Sequence, residues 1–300
     1  MDLSHLTDLS NRYYADRKHK EQEMPGLSVL CRDAPSDIEA SVYEPVLCLI
    51  LQGSKVTSIG DQTVELVPGD ALLVSHDLPV VSRITKASRQ DPYLAVILSL
   101  DLQLARSLYD QVGDAPLPMA GVRSLSVGPA SAVWLAPLVR YFELVNSPLD
   151  AQVLGPSTLR EIHFRLLLSP VGGMLRNLLV ADSHASRVAR AIERLRSDYR
   201  NPLRVPDLAK AAGMSASSFH EHFKAVTGTT PLQYQKDLRL IAAQALLVAM
   251  SHTVSEAAYA VGYESPNHFS RDYCRKFGLA PSRCASVHVT SSQNPTVKHG

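Results

Sequence analysis

Apolar and polar positions follow two different patterns along the chain, and the change comes after Asp101. From Gly26 to about Leu100, apolar stretches of five to eight residues are separated by turn residues. Stretches of this length and spacing, with no long helical pattern between them, predict a small antiparallel barrel or sandwich rather than a parallel sheet. The predicted strands are Val46–Gly53, the hairpin of KVTSIG and TVELV around Asp61-Gln62, Ala71–Ser75 after the turn Pro68-Gly69-Asp70, PVVSRI, and YLAVILSL.

Apolar residues at intervals of three and four, which are typical of helices, dominate the rest of this first part. Residues 1–24 are polar and are predicted to be helical. The helices after the strands are expected to pack on the barrel or to pair with a second copy of the chain. Residues 130–180 are therefore a candidate homodimer contact. The predicted helices are Leu102–Val112, Ala130–Val145, Pro156–Leu168 and Met174–Val180.

From Ser186 onward the pattern predicts helices only. The break falls near residues 178–186, so we expect one domain over residues 1–182 and a second over residues 183–300. The fold class is α+β: an N-terminal β-barrel with packed helices, then an all-α domain with a polar tail over residues 285–300. The predicted helices of the second domain are one that carries Val188, Ile192 and Leu195 on one face, then Val205–Ala212, Ser215–Val226, Pro231–Met250, Val254–Val261 and Ser265–Phe277.

The distribution of charge supports this division. The formal net charge is +1, which taken whole argues against a nucleic-acid partner. Residues 1–183, however, contain 15 Lys and Arg against 21 Asp and Glu, whereas residues 184–300 contain 15 against 8, together with seven of the eleven His. An acidic part joined to a basic part indicates two tasks, with a polyanion as the partner of the second.

Composition excludes several classes of protein. The chain has 45% hydrophobic and 20% charged residues, which is ordinary for a globular protein. Its longest apolar runs fall short of the ~18 residues that a membrane span needs. The first residues contain no apolar signal-peptide core. The four cysteines include no CxxC pair and fit a reducing cytosol rather than a disulfide framework. We therefore expect a cytoplasmic protein without a membrane partner.

The second domain contains an internal repeat. LAKAAGMSASSFHEHFKAVTGTTP matches AAYAVGYESPNHFSRDYCRKFGLAP, and one extra residue lies in the turn of the second copy. Each copy predicts a helix, a turn with a glycine and a second helix, which together form a helix-turn-helix unit; the two units cover residues 205–228 and 254–278. Ser215 and Ser265 are the expected N-caps of the second helices, and Gly228 and Gly278 are expected to end them. The alternative is an ordinary pair of helices packed in a core, but two copies in a basic region favour DNA binding.

The second helix of each unit, over about residues 215–226 and 265–277, has an apolar face and a polar face. Phe219, Phe223 and Val226 recur at helical spacing, as do Phe269, Tyr273 and Phe277, and they are expected to face the core. The opposite faces carry short polar groups for base edges and cations for phosphates, although a solvated helix face is the alternative. The candidate DNA-contacting residues are Ser217, His220, Glu221, Lys224, Asn267, His268, Ser270, Arg271 and Arg275.

The helix between the two units sets their predicted spacing on DNA. Pro231–Met250 is about 30 Å long at ~1.5 Å per residue. This length is close to the ~34 Å between successive major grooves on one face of B-DNA. One chain is therefore expected to insert both second helices into double-stranded DNA. Arg271 has the donor geometry to recognise guanine, and Asn267 to recognise adenine.

These residues resemble a known family. Residues ~186–284 are similar to the DNA-binding domain of AraC/XylS-type transcription regulators over GMSASSFHEHFKAVTGTTPLQYQKDLRL and GYESPNHFSRDYCRKFGLAP. The N-terminal half resembles the cupin-like sensor domain that is fused to it, over YEPVLCLILQGSK, VPGDALLVSHDLPV and DPYLAVILSLD. The resemblance implies a cytoplasmic bacterial regulator, such as an activator, that binds promoter DNA, contacts RNA polymerase and senses a small molecule. Glu221 departs from the family pattern, in which Arg or another polar donor is common, and leaves the base preference of the first unit open.

The barrel region offers few groups for chemistry. Cupin barrels that bind a catalytic metal carry an HxH pair with a further Glu and His, whereas this region has His76 and no HxH, so we expect no metal, no cofactor and no catalytic residue. His76 is read either as a hydrogen-bonded or surface residue or as part of an effector pocket. Cys48 is read as a buried small hydrophobe, or as a sensing residue if its face lines the barrel. Tyr43, Lys55 and Tyr93 are pocket candidates on the resemblance alone.

Three functions remain open at this point. The leading one is a sequence-specific transcription regulator whose DNA affinity or polymerase contact is biased by a ligand. The alternative is a cupin-type metalloenzyme with an accessory helical domain, and the third is an architectural DNA binder without ligand response.

Overall fold

The first half of the chain contains two antiparallel β-sheets. A computed structural model describes residues 3–16, 24–112 and 123–283. The five-stranded sheet has the order β1-β8-β3-β6-β9, and the four-stranded sheet has the order β2-β7-β4-β5. The strands are β1 (Leu27–Arg32), β2 (Glu39–Tyr43), β3 (Val46–Gln52), β4 (Ser54–Ile59), β5 (Gln62–Leu66), β6 (Asp70–Val74), β7 (Leu78–Lys86), β8 (Tyr93–Ser99) and β9 (Leu125–Pro129). The α+β class is confirmed, with two facing sheets in place of a closed barrel.

The alternation of side chains along β3 assigns each face of the large sheet to a different neighbour. Leu47 and Leu49 join a core that the flanking helices cover. Cys48 and Ile50 point the other way, into a core with residues of the four-stranded sheet such as Ile84. The strand is therefore buried on both faces, which explains why its sequence is apolar without a break.

Five helices belong with the sheets. They are α1 (Leu3–Asp16), α2 (Leu102–Val112), α3 (Ala132–Glu143), α4 (Pro148–Leu168) and α5 (Gly173–Leu179). Helix α4 starts eight residues earlier than predicted, because Ser147 caps it and Pro148 occupies the first turn while Pro156 lies inside it. Residues 17–23 of the predicted N-terminal helix lie outside the described residues.

The second half is helical as predicted. Its helices are α6 (His184–Ser197), α7 (Val205–Ala211), α8 (Ala216–Thr227), α9 (Pro231–Val248), α10 (Val254–Ala260) and α11 (Pro266–Phe277). Gly213 and Gly262 take positive φ in the turns, and Gly228 and Gly278 end α8 and α11 in the left-handed region. The predicted tail over residues 285–300 lies outside the described part of the chain.

The two expected N-caps differ in the structure. The Ser215 side chain accepts a hydrogen bond from the Ser218 amide, as expected for a cap. Ser265 also occupies the predicted N-cap position, at the start of α11, but its side chain makes no capping hydrogen bond. Pro266 follows at the first position of that helix, where its fixed φ favours the helix and no amide donor is lost.

The first helix-turn-helix unit shares a core with the sheets. Leu78 and Val80 of β7 belong to the same apolar cluster as Val188 of α6 and Phe219 and Phe223 of α8. The second unit has a cluster of its own, centred on Phe269, Tyr273 and Phe277, which includes Leu240 and Leu247 of α9. The division at residues 182 and 183 therefore stays a prediction, since the apolar core continues across it. No helix among the described residues is both long and apolar enough to span a bilayer.

Candidate nucleic-acid interface

Helix α8 separates its apolar and polar residues on opposite faces. Phe219 and Phe223 are fully buried, and their rings pack at 5.5 Å between centroids. Because both aromatic anchors lie on one side, the other side faces away from the core. The exposed side chains there are Ser217, His220, Glu221 and Lys224.

Helix α11 repeats this arrangement. Phe269, Tyr273 and Phe277 are buried, and the solvent face carries two arginines and two hydrogen-bonding groups. Arg275 is held by Asp272 at 2.6 Å, whereas no carboxylate among the described residues lies within ion-pair distance of Arg271. Arg271 is therefore the freer cation for a base or a phosphate. The exposed residues on this face are Asn267, His268, Arg271 and Arg275, with Ser270 half-buried beside them.

The predicted DNA-contacting residues thus fall on the solvent faces of two equivalent helices. Helix α9, with 18 residues, joins the two units. At about 1.5 Å per residue it is about 27 Å long, slightly shorter than the sequence pattern indicated. The arrangement presents two short polar helices at a separation that is close to the major-groove repeat of about 34 Å.

Four of the five candidate effector residues come together between the sheets. Lys55 is 8% exposed, and its Nζ donates a hydrogen bond to the Tyr43 hydroxyl at 2.6 Å. Burial acts to lower the pKa of Lys55, but the neighbouring Tyr43 and Cys48 outweigh it and leave the pKa above its usual value. Burial raises the pKa of the Cys48 thiol and that of the Tyr93 hydroxyl. The site therefore holds one buried ammonium beside neutral hydroxyl and thiol groups.

Unused hydrogen-bonding capacity lies on the same strands. The hydroxyls of Tyr93 and Thr57 are buried and have no partner among the described residues. Thr57 follows Lys55 at the next inward position of β4. An unsatisfied buried hydroxyl is costly, and its presence beside a buried cation is typical of a binding site rather than of a packing core. Thr57 is not predicted as a site residue from the sequence, because the pattern of a strand does not show whether a hydroxyl has a hydrogen-bond partner.

His76, the fifth candidate, lies elsewhere. It is 2% exposed at the junction of the two halves, where Nε2 is 3.1 Å from the Ala185 carbonyl of α6. Nδ1 lies within hydrogen-bond distance of the Ser75 and Ser124 hydroxyls, at 2.9 and 3.0 Å. The carbonyl can only accept, so Nε2 carries the proton and Nδ1 accepts from the hydroxyls. Burial lowers the pKa of His76 to about 4, and the ring stays neutral in its contact with α6.

The sheets also contact the end of α8 directly, which the sequence analysis did not predict. The Ser124 amide donates to the Val226 carbonyl at 2.9 Å, and the Asp61 amide donates to the Gly228 carbonyl at 3.4 Å. The turn between β4 and β5 is so close that a Cβ on Gly60 would lie 2.1 Å from the Gly228 carbonyl oxygen. Carbonyls at a helix C-terminus lack partners within the helix, and here the sheet domain supplies the donors.

A second set of contacts joins the halves through Asp77. The Arg196 guanidinium pairs with Asp77 and, at 3.1 Å, with Glu44. The Tyr234 hydroxyl of α9 donates to the Asp77 carbonyl at 2.6 Å. Metal-binding groups are absent from the described residues, since no three His, Cys, Asp or Glu side chains converge there.

Two facing sheets joined to a pair of helix-turn-helix units are the architecture of a DNA-binding protein with an additional N-terminal part. Residues 23–174 match the model of the AraC-type transcriptional regulator N-terminus, and residues 208–286 match a helix-turn-helix domain model. The chain belongs to the family of AraC-type transcriptional regulators.

Known relatives agree with this assignment. The chain is 26% identical to the transcriptional regulator ExsA of Pseudomonas aeruginosa over 78% of its own length and 84% of that protein. It is 30% identical to the transcriptional activator RhaS of Yersinia pestis, over 46% of this chain and 50% of RhaS. Its fold is similar to that of ToxT from Vibrio cholerae in a crystal structure with a bound unsaturated fatty acid, with a TM-score of 0.53, 12% identity and coverage of 88% and 96% of the two chains.

The expected family and function are therefore confirmed. The chain is a DNA-binding transcription regulator rather than a cupin-type metalloenzyme.

Proposed function

We propose that this regulator recognises an asymmetric promoter site by inserting α8 and α11 into successive major grooves. The observation that carries the proposal is the duplicated helix-turn-helix unit, in which buried aromatic anchors turn polar and cationic side chains to solvent. Such faces supply the donors and acceptors that the major groove distinguishes. The 18-residue helix α9 supports a spacing of about one turn of DNA.

Individual contacts follow from charge and position. Arg271, which has no carboxylate within ion-pair distance in the described part of the chain, is assigned to a guanine, and Asn267 one turn earlier to an adenine. Lys224, near the end of α8, is assigned to a phosphate, where it contributes affinity without base preference. Arg275 is shared with Asp272, so it also serves to orient the helix. The remaining contacts are assigned to Ser217, His220, Glu221, His268 and Ser270.

The sheet domain is assigned a sensing role. A buried ammonium at Lys55, with the unpaired hydroxyls of Thr57 and Tyr93 nearby, favours a small ligand that is rich in acceptors, such as an organic acid. The fatty acid bound to ToxT supports this chemical class for the shared fold. Cys48 lines the same space as an apolar wall.

The strand that carries the candidate ligand site is connected to the first recognition helix. Strand β4, which carries Lys55, runs into the turn that contacts the C-terminal end of α8. A ligand that favours one position of this turn favours one position of the first recognition helix, because the Asp61 amide in the turn donates a hydrogen bond to the Gly228 carbonyl at the end of α8. We further assign a cytoplasmic location, contact with RNA polymerase as an activator, and a non-enzymatic role, in line with the relatives. Homodimerisation through residues 130–180 is part of the same proposal.

Selection of DNA from a random-sequence duplex library by the full-length protein tests the proposal. We expect one enriched sequence, protected in two blocks whose centres lie about 10 base pairs apart. Equal affinity for the enriched duplex and its scrambled version would instead support the architectural reading. A single protected block would contradict the insertion of both helices.

A panel of carboxylic acids, including a long-chain fatty acid, tests the sensing role in a thermal-shift measurement. An acid that stabilises the wild type and not Lys55→Met is expected, with Lys86→Met, an exposed lysine on β7, as the matched control. Equal stabilisation of all three proteins would remove Lys55 from the site.

A further inference from the structure

The two helix-turn-helix units have separate apolar cores that meet within α9. Leu238 belongs to the core of the first unit, which continues into the sheets. Leu240, two residues later, belongs to the core of the second unit. Tyr199, in the loop after α6, touches both clusters from a partly buried position. Hydrophobic burial is non-directional, so two cores joined through one helix and one ring leave the angle between the units weakly determined.

Arg239 lies between these two leucines and spans the boundary. Its Nε donates to the Tyr199 carbonyl at 2.8 Å, and Nη2 donates to the carbonyls of Arg200 and Asn201, both at 3.0 Å. Its Nη1 donates to the carbonyl of Gly262, in the turn of the second unit, at 2.8 Å. One planar guanidinium therefore joins three carbonyls of the loop after α6, which leads into the first unit, to one carbonyl of the second unit.

The backbone of the second turn packs closely against the loop after α6. Gly262 has a φ of +89°, and a Cβ there would lie 2.0 Å from the Arg200 carbonyl oxygen. Gln235, one turn before Arg239 on α9, donates to the Tyr199 and Asn201 carbonyls at 2.9 and 2.6 Å. Two side chains of α9, Gln235 and Arg239, thus bind the loop after α6. Among the described residues, only the Arg239 side chain donates hydrogen bonds to both this loop and the second turn.

Two ion pairs hold helix α11 against α9. Asp237 pairs with Lys276 at 2.9 Å, and both side chains are nearly buried. Lys236 pairs with Asp272 at 3.0 Å. These pairs hold the second recognition helix against α9, the helix that carries Arg239.

We infer that Arg239 is a positioning residue that sets the angle between the two recognition helices and thereby the half-site spacing that the regulator accepts. This inference rests on the proposed insertion of both helices into DNA. Arginine suits the task because its rigid fork satisfies several carbonyls at once, which the single ammonium of a lysine does not. Arg239 itself need not touch DNA.

The geometry is tested without DNA by electron–electron distance measurement between spin labels at positions 220 and 271 of the full-length chain. The labels are attached through a ketone-bearing unnatural amino acid, which leaves the four native cysteines unmodified. We expect a narrow distance distribution for the wild type and a broad one for Arg239→Met and Arg239→Lys. Arg194→Met, which removes an exposed arginine from α6, is the control and is expected to keep the narrow distribution.

Spacing is tested with the duplex that the wild type selects, and with a version that has one base pair inserted between the two protected blocks. One base pair is about a tenth of a turn. We expect the wild type and Arg194→Met to lose about tenfold or more in affinity, and Arg239→Met to lose less than about threefold. Circular dichroism identifies any variant that fails to fold, in which case Arg239→Lys supplies the comparison.

The two measurements separate the inference from the proposed function. Narrow distributions in folded Arg239→Met and Arg239→Lys would overturn the inference whatever the protein binds. Broad distributions with unchanged spacing discrimination would overturn the link to half-site spacing. Failure of the wild type to discriminate any sequence would overturn the proposed function, while the distance measurement would still decide whether Arg239 sets the angle.

Discussion

The contact between the β4–β5 turn and the end of α8 can be broken by one methyl group. We predict that Gly60→Ala separates the sheets from the first recognition helix. The added Cβ would stand 2.1 Å from the Gly228 carbonyl oxygen, so the turn or the helix end must move by more than about 1 Å to reach ordinary contact. A movement of the turn breaks the hydrogen bond from Asp61 to α8, and a movement of the helix end breaks this bond and the one from Ser124.

The magnitude has two parts. Gly60 has a φ of +56°, and alanine in the left-handed region costs about 1–2 kcal/mol. Loss of two backbone hydrogen bonds adds about 0.5–1.5 kcal/mol each. Gly69→Ala is the matched control, because Gly69 also has a positive φ of +95° but its Cβ would meet only Leu3 Cδ1, at 3.6 Å. The difference between the two variants therefore isolates the clash, at about 1–3 kcal/mol.

Two signals report the outcome in one thermal unfolding experiment. Trp134, the single tryptophan, is buried in the core between the sheets and their helices, and its fluorescence follows that part. Far-ultraviolet circular dichroism is weighted toward the helices of the second half. We expect coincident transitions in the wild type and Gly69→Ala, and separated transitions in Gly60→Ala. Coincident transitions in Gly60→Ala, at the midpoint of Gly69→Ala, would refute the reasoning.

Three further predictions concern other parts of the molecule. Arg271→Ala should lower affinity for the selected duplex by about 1–3 kcal/mol and relax specificity at the base that Arg271 contacts. Lys224→Ala should weaken binding to all duplexes and make the affinity depend less on salt concentration. Mobility shifts at several salt concentrations distinguish the two variants. Cys48→Ser places a second hydroxyl beside Lys55 and should change the thermal shift that a stabilising acid produces; an unchanged shift would exclude Cys48 from sensing. The pKa of His76 is lowered to about 4 in the folded chain, whereas an unperturbed histidine has a pKa of about 6.5. Between these two pH values the unfolded chain protonates His76 and the folded chain does not. The free energy of unfolding therefore decreases as the pH falls through that window, by about 3 kcal/mol at most. His76→Gln should reduce this slope in urea unfolding, and an identical slope would show that His76 does not cause it.

Elements with a strong local signal could be predicted from the sequence. Helix α2 coincides with its predicted bounds, and β3 differs from them by one residue, because a continuous apolar run or a helical repeat needs no knowledge of its neighbours. Strands β1, β2 and β9 were missed. All three lie at sheet edges. Strands β2 and β9 have at most one buried residue each, so their sequences lack the apolar alternation on which a strand prediction depends.

Site residues could be predicted from the sequence where they share one face of a single helix. Site residues whose surroundings depend on the contact between two distant elements could not be predicted. The repeat placed Arg271 on the solvent face of α11 because the aromatic residues at helical spacing define the opposite face. His76 and Lys55 looked equivalent in the sequence, yet one lies against α6 and the other between the sheets. Strand alternation tells which side a residue faces but not which distant segment covers that side.

The continuous core between β7 and α8 has a consequence for protein engineering. A chimera that joins a foreign sensor to this chain at residue 183 would leave Val188 and Phe219 without the leucine and valine side chains of β7 that cover them. The second unit has an apolar cluster of its own that starts at Leu240, and Lys236, Asp237 and Arg239 of α9 must stay with it because they bind its helix and its turn. Exchange of that unit is therefore the better route to a regulator with a new operator, and the first unit should travel with its sensor.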